Sequence, residues 1–279
     1  MTDGSDLAAM GARRHPWNRD FRWIDAPREG RRRLTPLQID AYNRDGFVVL
    51  EQAFARGEID AVRAEIDPVE TAHEAQALAQ GGRIRLTDAT AITFTLHLVA
   101  GSPTLRAFAA HPVIRDICHD LIGPEVRLYW DQAVYKKTEK VQEFPWHQDN
   151  GYTFVEPQQY LTLWTPLSDA DIPDGCPWIA PGLHRLGTLA HRQTDIGLVC
   201  LDDAPGAVAA PVRVGDVVVF SSLAPHRTGP NTTDRTRKAY ILQYAPDGAV
   251  VRQEDGARVR QDAPDRQFRI LTGLAGAVA

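Results

Sequence analysis

The sequence predicts an α+β protein with a mainly β core, in which helices precede an antiparallel sandwich or barrel. Three observations carry this. Between Leu34 and Ile122, helix start and stop signals bracket apolar residues at helical spacing. From Val126 onward the chain turns to short β-branched and aromatic segments separated by Gly, Pro, Asn and Asp. The two patterns follow one another instead of alternating, which argues against βαβ units.

Residues 1–33 read as an N-terminal arm with two basic clusters, Arg13-Arg14 and Arg31-Arg32-Arg33, the first followed by His15-Pro16-Trp17. A solvated arm that packs a Trp or two on the body fits this composition; a lid or a dimer arm is the functional alternative. Thr35 then caps a helix whose first position, Pro36, needs no N–H, and Asp45-Gly46 ends it. Phe47-Val48-Val49-Leu50 follows as a short buried strand. A helix is expected from about Arg56 to Gln80, kinked or split at Pro68 and ended by Gly81-Gly82. Ile92 to Leu96 alternates like a strand, and helices are expected from Ser102-Pro103 to about Ala110 and from Pro112 to Ile122. The expected strands after that are 126–136, 144–149, 160–166, 177–180, 196–200, 207–212, 216–221 and 237–245. A tail at 272–279 follows, loosely ordered in expectation.

At 279 residues the chain fits one large domain, or at most two, and six Trp, seven Tyr and nine Phe allow an aromatic-lined pocket. A net charge of -5 gives no footprint for nucleic acid or an anionic membrane. No apolar run approaches a membrane span, and the N-terminus lacks the h-region of a secretory signal. Three widely spaced cysteines, Cys118, Cys176 and Cys200, read as reduced thiols and not as a disulfide framework. The expectation is a cytoplasmic enzyme or ligand-binding protein with a small-molecule partner.

The chemistry centres on Glu143-Phe144-Pro145-Trp146-His147-Gln148-Asp149-Asn150. On a strand, residues i and i+2 leave the same face, so His147 and Asp149 would enter one cavity while Trp146 and Gln148 face away. That supplies two of the three ligands of a 2-His-1-carboxylate iron site. Downstream, Val217-Val218-Val219-Phe220 reads as a buried strand, and His226 lies just past it in a Pro- and Gly-bounded segment, within reach across a barrel. Arg237 opens a strand soon afterwards. An Arg inside an apolar barrel is costly unless it grips a carboxylate, which its fork suits. Arg235 shares its parity but lies nearer the turn. A His-x-Asp, a distant His and an Arg shortly after it are what an iron and 2-oxo-acid site requires.

These stretches resemble the phytanoyl-CoA dioxygenase family of Fe(II)/2-oxoglutarate oxygenases over roughly residues 34–245. Leu34 to Leu50 is similar to the family's opening helix and strand, and Trp146-His147-Gln148-Asp149 to its metal motif. Leu161 to Leu167, Asp174-Gly175-Cys176 and Pro181-Gly182-Leu183-His184-Arg185 resemble its central strand, turn and loop, with Leu183 where that loop usually has Ser. His226 through Arg237-Lys238-Ala239 is similar to its distal histidine and 2-oxoglutarate arginine.

The resemblance implies a double-stranded β-helix, or jelly-roll, with helices outside: one oxygenase domain over 34–271, helical over about 34–125 and jelly-roll over about 126–245. It implies that His147, Asp149 and His226 bind Fe(II) and that Arg237 binds the C5 carboxylate of 2-oxoglutarate, with Thr228 and Trp164 beside it and Gln132 a candidate for its other end. His184 and Cys176 read as structural. The implied reaction consumes 2-oxoglutarate and O₂, releases succinate and CO₂, and oxidises a substrate C–H bond. Related halogenases carry a small residue at the position of Asp149, so its presence argues hydroxylation, while desaturation, cyclisation and epimerisation stay open. Trp146, Trp130, Tyr135, Tyr152, Phe154 and Trp178 are candidates to line a substrate pocket. The ectoine-type pattern is discounted, because Asn150-Gly151-Tyr152 departs from it. The rival readings are a cupin-like zinc protein, which leaves Arg237 without a role, and a non-catalytic binding barrel. A monomer or a homodimer is expected.

Overall fold

The computed structural model describes residues 4–84 and 87–273. A seven-stranded sheet runs in the order Phe47–Leu50, Val217–Ser221, Leu161–Pro166, Arg237–Pro246, Val126–Lys136, Arg269–Leu271, with Ile92–Leu96 also paired to Val126–Lys136. A smaller sheet follows the order Val208–Ala209, Pro177–Ile179, His226–Thr228, Phe144–His147. Every pairing between these strands is antiparallel. Together the two sheets form a jelly-roll with helices packed against the larger one.

Alternation along the strands sorts two cores. From Arg237–Pro246, the side chains of Tyr240, Leu242 and Tyr244 join Leu161, Leu163 and Val219 against Ile39, Ile59, Ile66 and Ile117 of the helices. Ala239 faces the other way, with Trp164, Val218 and Phe220, against Ile179 of the small sheet. Burying both faces explains why these strands read as nearly continuous apolar runs. The site lies between the two sheets.

The helices sit where their caps place them. Thr35 and Gln38 form a capping box on Pro36–Asp45, and Gly46 ends it at φ 83°, a conformation that costs a glycine little. Pro103–Ala109 and Pro112–Ile122 begin at their prolines as expected. Arg56–Ala79 differs from expectation: it is one helix of 24 residues that runs through Pro68. Ala64 and Pro68 both lie on its exposed face, so the carbonyl deprived of a donor meets water. Short strands at Val155–Glu156, Arg192–Thr194, Val250–Arg252, Arg258–Arg260 and Arg269–Leu271 were not expected; three residues or fewer carry too little periodicity to read.

The N-terminal arm, largely exposed, packs two tryptophans on the body and is laced to it by hydrogen bonds. Backbone bonds join Ala190 N to Arg13 O and Asp202 N to Met10 O, and the Asn18 amide donates to Leu186 O and Thr188 O. Trp17 stacks edge-on against Phe154, and Trp23 against His184. Of the expected tail, residues 274–279 lie outside the described residues. Among the described residues no helix is long and apolar enough to cross a membrane.

Candidate active site

His147 is the last residue of Phe144–His147, and His226 is the first of His226–Thr228. Antiparallel pairing sets the two opposite each other, with ring centroids 4.1 Å apart. His226 therefore opens a strand of its own, His226–Thr228, within the Pro- and Gly-bounded segment; that strand was not among those expected. Each Nδ1 donates to a backbone carbonyl, His147 to Pro145 at 2.8 Å and His226 to Ala224 at 3.0 Å. Because a carbonyl only accepts, the proton sits on Nδ1 and each Nε2 keeps its lone pair.

The strand expected over 144–149 stops at His147, and Asp149 opens the helical turn Asp149–Tyr152. Gln148 between them is still extended, which preserves the alternation. Its buried amide turns away from the site, donates to Gly187 O and Leu223 O, and accepts from Leu189 N. One Asp149 oxygen accepts the Thr162 hydroxyl, with a further hydrogen bond from Gln243. The other lies 3.9 Å from His226 Nε2.

One ligand atom from each of His147, Asp149 and His226 lies within 4.8 Å of the other two. Burial holds His147 down to about 3 and His226 to about 4, and it raises the Asp149 carboxyl above its ordinary value. Two neutral imidazoles and a desolvated carboxylate, fixed around one point, form a donor set that a divalent cation satisfies.

Arg237, only 1% exposed, lies behind this triad at the start of Arg237–Pro246. Its Nη1 donates to Val134 O at 3.3 Å, while Nε and Nη2 have no partner. The guanidinium carbon is 5.2 Å from the centre of the Trp164 ring, and burial lowers its pKa to about 10. Directly across the strand pair lies Lys136, also buried, whose ammonium donates to the carbonyls of Gln142, Thr228 and Gly229. Burial and the neighbouring Arg237 push the Lys136 pKa well down, so the anion anchor is the guanidinium: two orphan nitrogens fit an anionic ligand, and a carboxylate matches their fork. Arg235, by contrast, turns outward to Asp174. Gly175 lets its turn approach this end of the site, because a Cβ there would collide with the Gly229 carbonyl.

Beside the triad opens a cavity of about 350 Å³ that touches Trp130, Gln132 and Tyr152 of the expected set. Four candidates are elsewhere. Trp146 and Trp178 lie on the outer face of the small sheet, their ring centres 5.4 and 5.3 Å from the Arg227 guanidinium, as the parity opposite to His147 and His226 requires. Tyr135 has the parity opposite to Gln132 and reaches the helices, where its hydroxyl donates to Asp67 at 2.6 Å. Phe154 is covered by His15 and Trp17. Thr228 sits on the distal-histidine strand, where its carbonyl accepts from Lys136.

The sequence reading missed Phe94, Tyr129, Phe144, Tyr160 and Gln243, all on the cavity wall, and Thr162 on Asp149. One had a signal: Gln243 shares Arg237's parity. Phe144 opens the strand that ends at His147, but it has the parity of the outward Trp146, and a register shift lies between its pairing and that of His147. Tyr129 had none. The register shift opposite Gln243 and Tyr244 leaves it as an extra residue in Val126–Lys136, which overrides simple alternation.

A jelly-roll with a His/Asp/His triad and a buried arginine defines the class of mononuclear iron, 2-oxoglutarate-dependent oxygenases. The family model for phytanoyl-CoA dioxygenase matches residues 42–239, and the chain belongs to that family. It is 29% identical over 238 residues to an ectoine dioxygenase of Bordetella parapertussis, covering 76% of this chain and 75% of that one. It is 25% identical over 224 residues to a methylphosphonate hydroxylase of Gimesia maris, covering 76% and 80%. Among solved structures, it is similar to the carbocyclase SnoK of nogalamycin biosynthesis, with TM-score 0.67, 22% identity and coverage of 85% of this chain and 96% of that one. The epimerase SnoN, solved with Fe³⁺, α-ketoglutarate and a nogalamycin compound, gives TM-score 0.65 at 23% identity, covering 83% and 96%. The protein is an iron- and 2-oxoglutarate-dependent dioxygenase.

Proposed function

We propose that this dioxygenase hydroxylates an unactivated C–H bond of a small-molecule substrate, with His147, Asp149 and His226 as iron ligands and Arg237 holding the far carboxylate of 2-oxoglutarate. The observation that carries this reading is the orphaned Arg237 fork behind a complete triad: a zinc protein with the same ligands would leave that buried charge uncompensated. Trp164 covers the guanidinium and keeps water from it. When bound, iron with 2-oxoglutarate and O₂ supplies the oxidant, one oxygen atom passing to succinate and the other to the substrate. Thr162 and Gln243 hold Asp149, and the aromatic walls exclude water that would divert the oxidant. Asp149 fills the position through which a halide would enter, which favours hydroxylation. A product heavier by one oxygen fits that outcome; one lacking two hydrogens or of unchanged mass would redirect the reading to desaturation, cyclisation or epimerisation.

Anaerobic addition of Fe(II) and 2-oxoglutarate is expected to give the weak visible charge-transfer band of a chelated keto acid. Arg237→Ala should weaken 2-oxoglutarate binding by about 30-fold or more and leave metal affinity unchanged. An iron-loaded wild-type protein with no such band would sink the reading.

A further inference from the structure

We infer that the substrate presents to this site an uncharged, planar unsaturated ring system carrying an oxygen acceptor, and that Gln132 reads that oxygen. The inference rests on the oxygenase reading above and adds the substrate class. The cavity beside His147 and Asp149, about 350 Å³, is at the lower end of the range of small-molecule sites. Its walls carry two aromatic pairs. Phe94 and Phe144, with ring centroids 5.5 Å apart, come from the edge strand of the large sheet and the metal-motif strand. Tyr129, on Val126–Lys136, and Tyr160, just before Leu161–Pro166, lie 5.4 Å apart. Flat rings stack or meet edge-on with such surfaces.

The charge inventory is equally one-sided. Among the described residues no lysine or arginine lines the cavity, and Asp149 is its one acidic group. Arg237 lies outside the lining, and three carbonyls take the protons of Lys136. With the metal's two positive charges offset by Asp149 and 2-oxoglutarate, a carboxylate, phosphonate or phosphate entering here would lose its hydration and meet no cationic side chain.

Gln132 supplies the polar reading. Trp130 Nε1 donates to its Oε1 at 3.2 Å. An indole N–H can only donate, so the amide is fixed with its oxygen toward Trp130 and its NH₂ free. Three pairs along the strands separate Gln132 from Lys136 and Arg237, which places it on the cavity and away from the anion end. Free N–H donors select a carbonyl or ether oxygen and repel a cation.

The test uses the Ni(II)- and 2-oxoglutarate-loaded protein, which does not turn over, and isothermal titration with four naphthalenes of similar size. 2-Acetylnaphthalene should bind at least about tenfold more tightly than 2-naphthoate, whose carboxylate must be desolvated, and more tightly than (2-naphthylmethyl)trimethylammonium. Gln132→Leu should weaken 2-acetylnaphthalene by about tenfold or less, to the level of 2-ethylnaphthalene, whose own affinity stays unchanged. Circular dichroism and metal affinity identical to wild type certify that variant. Equal or tighter binding of the naphthoate or the ammonium, no binding of any naphthalene, or an unmoved ketone in Gln132→Leu would overturn the inference. So would a loss confined to 2-oxoglutarate affinity, which would assign Gln132 to the co-substrate. In each of these cases a persisting charge-transfer band leaves the oxygenase reading standing, whereas loss of the band condemns that reading alone.

Discussion

Asp149 shows how much the geometry of the triad rests on residues outside it. Its strand has ended one residue before, and it begins a helical turn of only four residues, so backbone pairing alone does not fix its carboxylate. Thr162 and Gln243, on two adjacent strands of the large sheet, hold the oxygens instead. Thr162→Val keeps the shape and removes the donor, and it should weaken divalent-metal affinity about 10- to 100-fold, read by Co(II) titration. Affinity within twofold of wild type would mean that Gln243 suffices. The two histidines need no such help, because each Nδ1 is tied to a carbonyl two residues before it, Pro145 or Ala224. Gln148 adds the link between the two loops, since its amide binds Leu223 beside the distal histidine as well as Gly187 and Leu189.

The helix Arg56–Ala79 illustrates packing overriding a local breaker. Ile59, Val62, Ile66 and Glu70 keep one buried face across Pro68, and Glu70 and Glu74 both pair with Lys137 of the sheet edge. These tertiary anchors outweigh the missing hydrogen bond, so the helix continues. Pro68→Ala should restore that bond on an exposed face and stabilise the fold by about 1–3 kcal/mol, measured by urea denaturation. A neutral or destabilising result would show that the helix is already bent to accommodate the ring. The small sheet shows the complementary rule. Its strands are three or four residues long where they carry the ligands, yet their register places His147 against His226, because the outward residues Trp146, Arg227 and Trp178 stack on the opposite face.

For the molecule as a whole, burial of neutral imidazoles sets the response to acid. His147 is lowered to about 3, and His184, His191 and His226 to about 4, chiefly by desolvation. Below the ordinary histidine value near 6.5, the unfolded chain takes up protons that the native state excludes, so these groups favour folding above about pH 6.5 and withdraw that support as pH falls toward about 4. Asp131, raised to about 6, and Asp149, also raised, work in the opposite sense but are fewer. The metal-free protein should therefore lose thermal stability steadily between pH 6.5 and pH 4. A melting temperature flat across that interval would contradict the burial of these four rings as neutral species.

The sequence by itself determined the order of helices before strands, most strand positions, the His/Asp/His cluster and the buried arginine. Those depend on alternation, caps and residue chemistry, which are local properties. His147 and Asp149 were legible because Gln148 stays extended, and Arg237 because a charge inside an apolar strand demands a partner. The tertiary structure alone decided which aromatics line the cavity. Trp146, Trp178 and Tyr135 carry the same chemistry as Trp130 and Tyr152, but strand parity and the packing of Arg227 and Asp67 turn them outward. The register shift that brings Tyr129 inward, and the threonine that reaches Asp149 from a neighbouring strand, are products of pairing between segments far apart in the chain, which no local pattern encodes.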